Sequence, residues 1–206
     1  IDKIFLKDCT ATIWQFSPKL SGDNTDEASV FVFQAGPPPF VGLREELYNS
    51  FANDDLRKSH WIASVTDGTD TWYHANKYKQ NTTTGTSVEY SIVFRLAEQY
   101  LIRAEARARQ GELSNAKQDL DMVRNLAGLP NTTATTEAEI IAAVQEERRF
   151  ELFTEHGHRF FDLKRNGALN TVLPILKLGW NSTDVHWPIP ETELLANQNL
   201  TQNPGY

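Results

Sequence analysis

Between Val93 and Ala108, apolar residues fall at Val93, Ala97, Tyr100, Leu101, Ala104 and Ala108. This spacing puts them on one face of a helix. Gly111 breaks the run, and Ser114 is placed to cap a second helix with Ala116, Leu120, Val123 and Ala127 along one side. Gly128 and Pro130 then predict its end: glycine takes the left-handed turn, and proline has no N–H with which to continue. A third helix is predicted from Thr136-Glu137-Ala138-Glu139, which has the spelling of a capping box. Ile140, Ile141, Val144 and Leu152 trace its apolar side towards Glu155, and a short fourth helix over 159–165 stops at Asn166-Gly167. Small Ala104 and Ala116 stand where two antiparallel helices must approach, with Gly111 in the turn. That is the spacing of a tetratricopeptide-type hairpin, although Arg107 occupies a position where that repeat usually places a bulky apolar residue. Such a hairpin cannot bury its faces alone and needs further helices against it.

The first ninety residues follow no helical period. Ile13, Trp14 and Phe16 read as a short strand, Ser21-Gly22-Asp23-Asn24 as a loop, and Val30-Phe31-Val32-Phe33 as a second strand. Gly36-Pro37-Pro38-Pro39 predicts a stiff extended connector, and Leu43 to Phe51 a short helix. Residues 61–65 and 71–78 flank Asp67-Gly68 and predict a β-hairpin, followed by a polar Thr/Gly loop from Asn81 to Ser87. The expected fold class is therefore mainly α: tetratricopeptide-like helical hairpins with long irregular loops and a short β-hairpin region near the N-terminus. The division drawn from the pattern is 1–90, irregular and ligand-facing, and 91–206, a helical scaffold closed by an extended tail.

Composition narrows the chemistry. With a formal charge of −7, the chain is a poor partner for nucleic acid or an anionic membrane. A lone Cys9 excludes an internal disulfide and a multi-cysteine metal site. The chain opens at Ile1 with no apolar leader, so a longer protein containing these residues is expected. No nucleophile motif and no phosphate-cradling glycine loop occurs, and no cofactor is predicted.

Charged residues concentrate in Glu146-Glu147-Arg148-Arg149-Phe150-Glu151 and in the segment from Glu155 to Arg165. Two readings compete. Glu147 and Glu151 have the residue types of a glycosidase acid/base pair, which must face an open cleft. Alternatively, these charges form an ion-pair lattice between helices, with Arg95, Glu98 and Glu105 as partners. The lattice is the expectation, because Arg148 and Glu151 continue the apolar stripe of their own helix. His156-Gly157-His158 has metal-ligand residue types but no third partner at metal-site spacing, and also reads as a helix boundary.

Aromatic residues crowd the first ninety positions. Flat rings on rigid loops suit the apolar faces of sugar rings, while Asn, Gln and Asp bond the hydroxyls. Trp61, Trp72, Phe40, Tyr73 and Trp14 are the candidate ligand contacts, with burial in the core as the competing role for each.

Three segments in order carry a resemblance. They are Arg95-Leu96-Ala97-Glu98-Gln99-Tyr100-Leu101-Ile102-Arg103-Ala104-Glu105-Ala106; Glu146 to Leu152 continuing through Gly157-His158-Arg159-Phe160-Phe161-Asp162-Leu163-Lys164-Arg165; and Pro188-Ile189-Pro190 leading to the closing Asn203-Pro204-Gly205-Tyr206. Together they resemble the C-terminal half of the SusD/RagB family. The resemblance implies a non-enzymatic lipoprotein on the extracellular face of the outer membrane, anchored through a segment absent from this chain. It also implies capture of oligosaccharides, or of peptides in some members, for a TonB-dependent transporter of the SusC type. In such a protein the helices are scaffold, in part facing the transporter, and the irregular loops hold the ligand.

Overall fold

A computed structural model describes all residues, 1–206. The chain forms two compact units, Ile1–Thr154 and Glu155–Tyr206. The first contains, in order, β1 (Thr12–Phe16), α1 (Asp26–Phe31), α2 (Glu45–Ser50), α3 (Leu56–Trp61), β2 (Ile62–Thr66), β3 (Thr71–Ala75), β4 (Ser91–Arg95), α4 (Leu96–Arg109), α5 (Leu113–Leu126) and α6 (Glu137–Glu151). The second contains α7 (His158–Arg165), α8 (Leu169–Leu176), a 3-10 turn (Ser182–Val185) and α9 (Glu191–Ala196). The fold is mainly α with small antiparallel ribbons. The boundary expected near residue 90 falls inside the first unit, where β1 pairs with β4 across it.

Helices α4, α5 and α6 pack through Leu101, Ala104, Ala108, Ala116, Leu120, Val123, Ile140 and Val144, all buried. The alanines let the helix backbones approach, while Leu101, Leu120 and Ile140 fill the space between them. Helix α4 closes with Glu112 N donating to Arg107 O (2.9 Å) and Gly111 N to Ala108 O (3.0 Å). Gly111 sits at φ +79°, a conformation a Cβ would penalise. The end of α5 repeats this bonding: Leu129 N donates to Arg124 O and Gly128 N to Asn125 O. Helix α6 begins with both halves of the capping box, Thr136 accepting from Glu139 N and the Glu139 carboxylate accepting from Thr136 N. Such a cap is worth about 1 kcal/mol.

Several local expectations are corrected. Val30 and Phe31 belong to α1, not a strand: Thr25 Oγ1 accepts from Ala28 N at 3.2 Å, and Asp26 and Glu27 occupy the first turn. Val93 does not open α4. It lies in β4, antiparallel to β1 with Trp14 opposite Phe94 and Thr12 opposite Arg95. Ser114 is not a cap, because the tight turn at Gly111 lets α5 begin at Leu113 behind Glu112. Helix α6 ends at Glu151, ahead of the expected Glu155. Helix α3 was not predicted; Asp55 starts it by accepting from Arg57 N at 2.9 Å.

A second core, built on Phe5, Phe51, Trp61, Ile62, Tyr78, Ile92 and Phe153, lies beneath the β2–β3 hairpin. Beside it, the charged residues of α6 form the lattice. Fully buried Arg57 lies 2.8 Å from Asp55, 2.7 Å from Glu147 and 2.9 Å from Glu151. Arg95 also bonds Glu151, and Arg124 reaches Glu147 at 3.1 Å. Lys77 Nζ donates to Glu151 O (2.8 Å) and Phe153 O (2.9 Å). Its ammonium stands 4.1 Å from the Phe153 ring centre and 5.0 Å from that of Trp61. Burial pushes the Glu147 carboxyl up despite Arg57. At Glu151 burial acts in the same direction, but Arg95 and Arg57 outweigh it and hold the group below the usual carboxylate range.

In the second unit, Leu163, Leu169 and Leu173 form a small core with Phe160, Val172, Trp180 and Val185 against it. The tail is fastened at intervals. Ile189 N donates to Gln202 Oε1 (2.8 Å), Gln202 Nε2 to Ile189 O (2.9 Å), and the Tyr206 hydroxyl to His186 O (2.9 Å).

Candidate functional site

Along β1, Trp14 and Phe16 are two residues apart and share a face, and antiparallel pairing brings Phe94 of β4 opposite Trp14. The Trp14 ring centre lies 5.0 Å from that of Phe16 and 5.8 Å from that of Phe94. None of the three is in a core: Trp14 is 49% exposed, Phe16 56% and Phe94 44%. Register shifts on either side of Trp14 bend the ribbon here. The result is an exposed aromatic platform on a paired backbone.

Phe16 also forms the rim of a groove of about 680 Å³. One wall is the segment Ser17-Pro18-Lys19, another is the stretch from Asp23 into α1, and the third is the loop Gln80-Asn81-Thr82-Thr83. The volume lies within the usual range of small-ligand sites, and the lining is rich in amides, hydroxyls and carboxylates.

Asn24 fixes the third wall to the second. Its Nδ2 donates to Thr82 O (3.2 Å) and Thr84 Oγ1 (3.0 Å), while its Oδ1 accepts from Val88 N (3.0 Å) and Glu89 N (3.2 Å). Buried Glu89 accepts from Lys79 N (2.8 Å) and Gln80 N (3.0 Å). Burial raises the Glu89 carboxyl above its ordinary range, against the pull of these donors. Gly22 lies against the loop, donating to Ser87 Oγ (3.1 Å) and accepting from Thr84 N (2.8 Å). A Cβ on Gly22 would stand 2.6 Å from Thr84 O, so only glycine admits this approach. These bonds use Asn24 completely. The side chains of Lys19, Asp23, Asp26, Asn81 and Thr83 are left to face the groove with their hydrogen-bonding groups free.

The sequence-predicted residues do not converge on one place. Trp14 lies on the platform. Trp61 is corrected: it is only 2% exposed, packed edge-on against Phe5 at 5.3 Å, and belongs to the core. Trp72 and Tyr73 are consecutive on β3 and therefore point to opposite faces. The Trp72 ring lies over Gly36, where a Cβ would come within 2.0 Å of it, and Tyr73 stacks on Tyr48 at 4.1 Å. Phe40 is 74% exposed in the proline-rich connector, apart from the other aromatic rings. Phe16 and Phe94 were missed. Phe16 has a usable signal in its period-2 relation to Trp14, whereas Phe94 is brought to the platform by the pairing of β1 with β4.

Two other places have different chemistry. Glu147 and Glu151 are buried and share Arg57 as an ion-pair partner. A pocket of about 270 Å³ lies over α4 and α5, walled by Leu96, Tyr100, Met122 and Leu126 with Arg95 and Glu151 also in its lining, and is mostly apolar. His156 and His158 have ring centres 6.1 Å apart, and no group of three or more His, Cys, Asp or Glu side chains in the chain is arranged to hold a metal ion. No helix is long and apolar enough to cross a membrane.

Comparison with known proteins shows the family of the chain. The model of the SusD family matches residues 43–177, more than half of the chain, so the chain belongs to the SusD family. The starch-binding protein SusD of Bacteroides thetaiotaomicron is 37% identical over 127 residues, covering 55% of this chain and 21% of that protein. A SusD-like protein of Formosa agariphila is 30% identical over 125 residues, covering 56% of this chain and 24% of its own length. The chain thus spans about a quarter or less of these relatives. Among solved structures, surface glycan-binding protein A from Bacteroides uniformis superposes with a TM-score of 0.74 at 23% identity, covering 98% of this chain and 51% of that one. A SusD superfamily protein from Parabacteroides distasonis gives 0.72 at 20% identity, covering 95% and 50%. At these identities the likeness is one of fold.

Proposed function

We propose that this chain supplies a ligand-holding surface of a non-catalytic cell-surface protein that captures oligosaccharides for a TonB-dependent outer-membrane transporter of the SusC type. The observation that carries the reading is the exposed Trp14–Phe16–Phe94 platform at the rim of a polar groove. Sugar rings have apolar C–H faces that stack on aromatic rings and hydroxyl edges that bond amides and carboxylates, and this surface offers both in continuity. Membership of the SusD family supports the same role, as does the name of its starch-binding relative. In this reading the protein is held at the extracellular face of the outer membrane by a lipid anchor. Enclosure of Glu147 and Glu151 in ion pairs supports a binding role without hydrolysis.

Calorimetric titration with oligosaccharides tests the proposal. Saturable binding is expected, with loss of at least about tenfold in affinity, roughly 1.4 kcal/mol, on Trp14→Ala. Saturable binding of peptides and of no glycan would overturn it. Transporter association is tested by co-purification with a SusC-type partner from outer membranes.

A further inference from the structure

We infer that the groove beside Trp14 selects uncharged oligosaccharides and rejects anionic ones such as uronate chains. The inference rests on the glycan-binding reading above and specifies its ligand class. Three charged residues line the groove: Asp23, Asp26 and Lys19. The two carboxylates engage in no ion pair, and neither does Lys19. Behind them, Glu27 adds a third acid, with Oε2 accepting from Ser91 Oγ at 2.8 Å. The wall formed by Gln80 to Thr83 contributes only neutral groups. No arginine lines the groove, so the planar fork that binds carboxylate or sulfate bidentately is missing from its lining.

The distribution has a direct chemical reading. Free carboxylates are acceptors only, and sugar hydroxyls are donors, so Asp23 and Asp26 match a neutral ring edge with charge-assisted bonds. Asn81 and Thr83 both donate and accept, completing a set suited to hydroxyls. An anionic sugar stacked on Phe16 and extending into the groove brings its carboxylate towards two like charges with one lysine to offset them. Like charges brought together on binding cost free energy, and specificity is built from such repulsion as well as from attractive contacts. The overall charge of −7 acts in the same direction at longer range.

The test uses the full chain and two sets of probes matched in length: neutral oligosaccharides from α-glucan, β-glucan, xylan and mannan, and oligogalacturonates. Affinities are measured by calorimetry at low and at moderate salt. At least one neutral set is expected to bind, with oligogalacturonates weaker by about tenfold or more at low salt and the gap narrowing as salt screens the repulsion. The double variant Asp23→Asn, Asp26→Asn is expected to narrow the gap by improving oligogalacturonate binding. Equal or tighter binding of oligogalacturonates by the unaltered chain would overturn the inference, as would a gap that the double variant leaves unchanged. Failure of every probe to bind would instead overturn the glycan reading itself, and the selectivity with it.

Discussion

Two polar regions of the first unit, the charge lattice under α6 and the groove beside β1, use the same kinds of side chain in opposite ways. In the lattice every charge is engaged: Arg57 alone touches Asp55, Glu147 and Glu151, and Lys77 is spent on backbone carbonyls at the end of α6. In the groove, Asn24 and Glu89 are consumed in building the wall, while Lys19, Asp23, Asp26 and Asn81 retain free valence. Trp61 and Trp14 repeat the contrast with apolar groups, one 2% exposed and the other 49%. Residue type therefore does not mark a site. What marks it is bonding capacity left unsatisfied on a framework whose own bonding is complete.

The contrast is sharpest at Arg57. Replacement by Ala leaves Asp55, Glu147 and Glu151 buried without their common partner, and a stability loss of about 3–5 kcal/mol is expected in denaturant titration. Lys19→Ala in the groove is expected to change stability by no more than about 0.5 kcal/mol. Comparable losses from both would break the comparison. Trp61→Ala should cost a similar amount to Arg57→Ala, about 3–5 kcal/mol of stability. Trp14→Ala should leave the unfolding midpoint nearly unmoved and show its effect in glycan affinity.

Asn24→Ala sits between the two regimes. It orphans the N–H groups of Val88 and Glu89, and a loss of about 1–3 kcal/mol is expected. Faster amide exchange confined to the Gln80–Ser87 loop, together with weaker binding, would identify Asn24 as the positioning residue of the groove. Unchanged exchange in that loop would remove it from that role.

The smallest effect lies in the α6 capping box. Backbone donation from Thr135 and Thr136 holds the exposed Glu139 carboxyl down at about 2. A carboxylate depressed on folding contributes its stability above the ordinary carboxylate pKa and loses it as pH falls through the folded value. The stability difference between the unaltered chain and Glu139→Gln is thus expected to be present at pH 5–7 and to shrink as pH falls from about 4.5 towards 2. A difference that grows on acidification would contradict the capping geometry.

Much of the helical half was legible from the chain because its determinants are local. The α4–α5 turn at Gly111, the stop at Gly128 and the Thr136 box each act within a few residues, and the apolar period marks the face to be buried. The charge lattice was foreseen around Glu147 and Glu151, yet its hub was not. Arg57 lies in a helix that a six-residue window hardly distinguishes from loop, ninety-four positions from Glu151 in the chain. Trp14 was singled out, but its neighbour Phe94 was not, since their proximity arises from pairing of β1 with β4.

The sequence alone determined the helical hairpin, its caps, the alanine seam at Ala104 and Ala116, and the three ordered segments that resemble the SusD/RagB family. These follow from short-range backbone preference and periodic burial. Tertiary structure alone decided which aromatics are buried and which are presented, and which polar side chains are consumed. Exposure and hydrogen-bond satisfaction depend on groups brought together from distant parts of the chain, as Asn24 is with Thr84 and Val88.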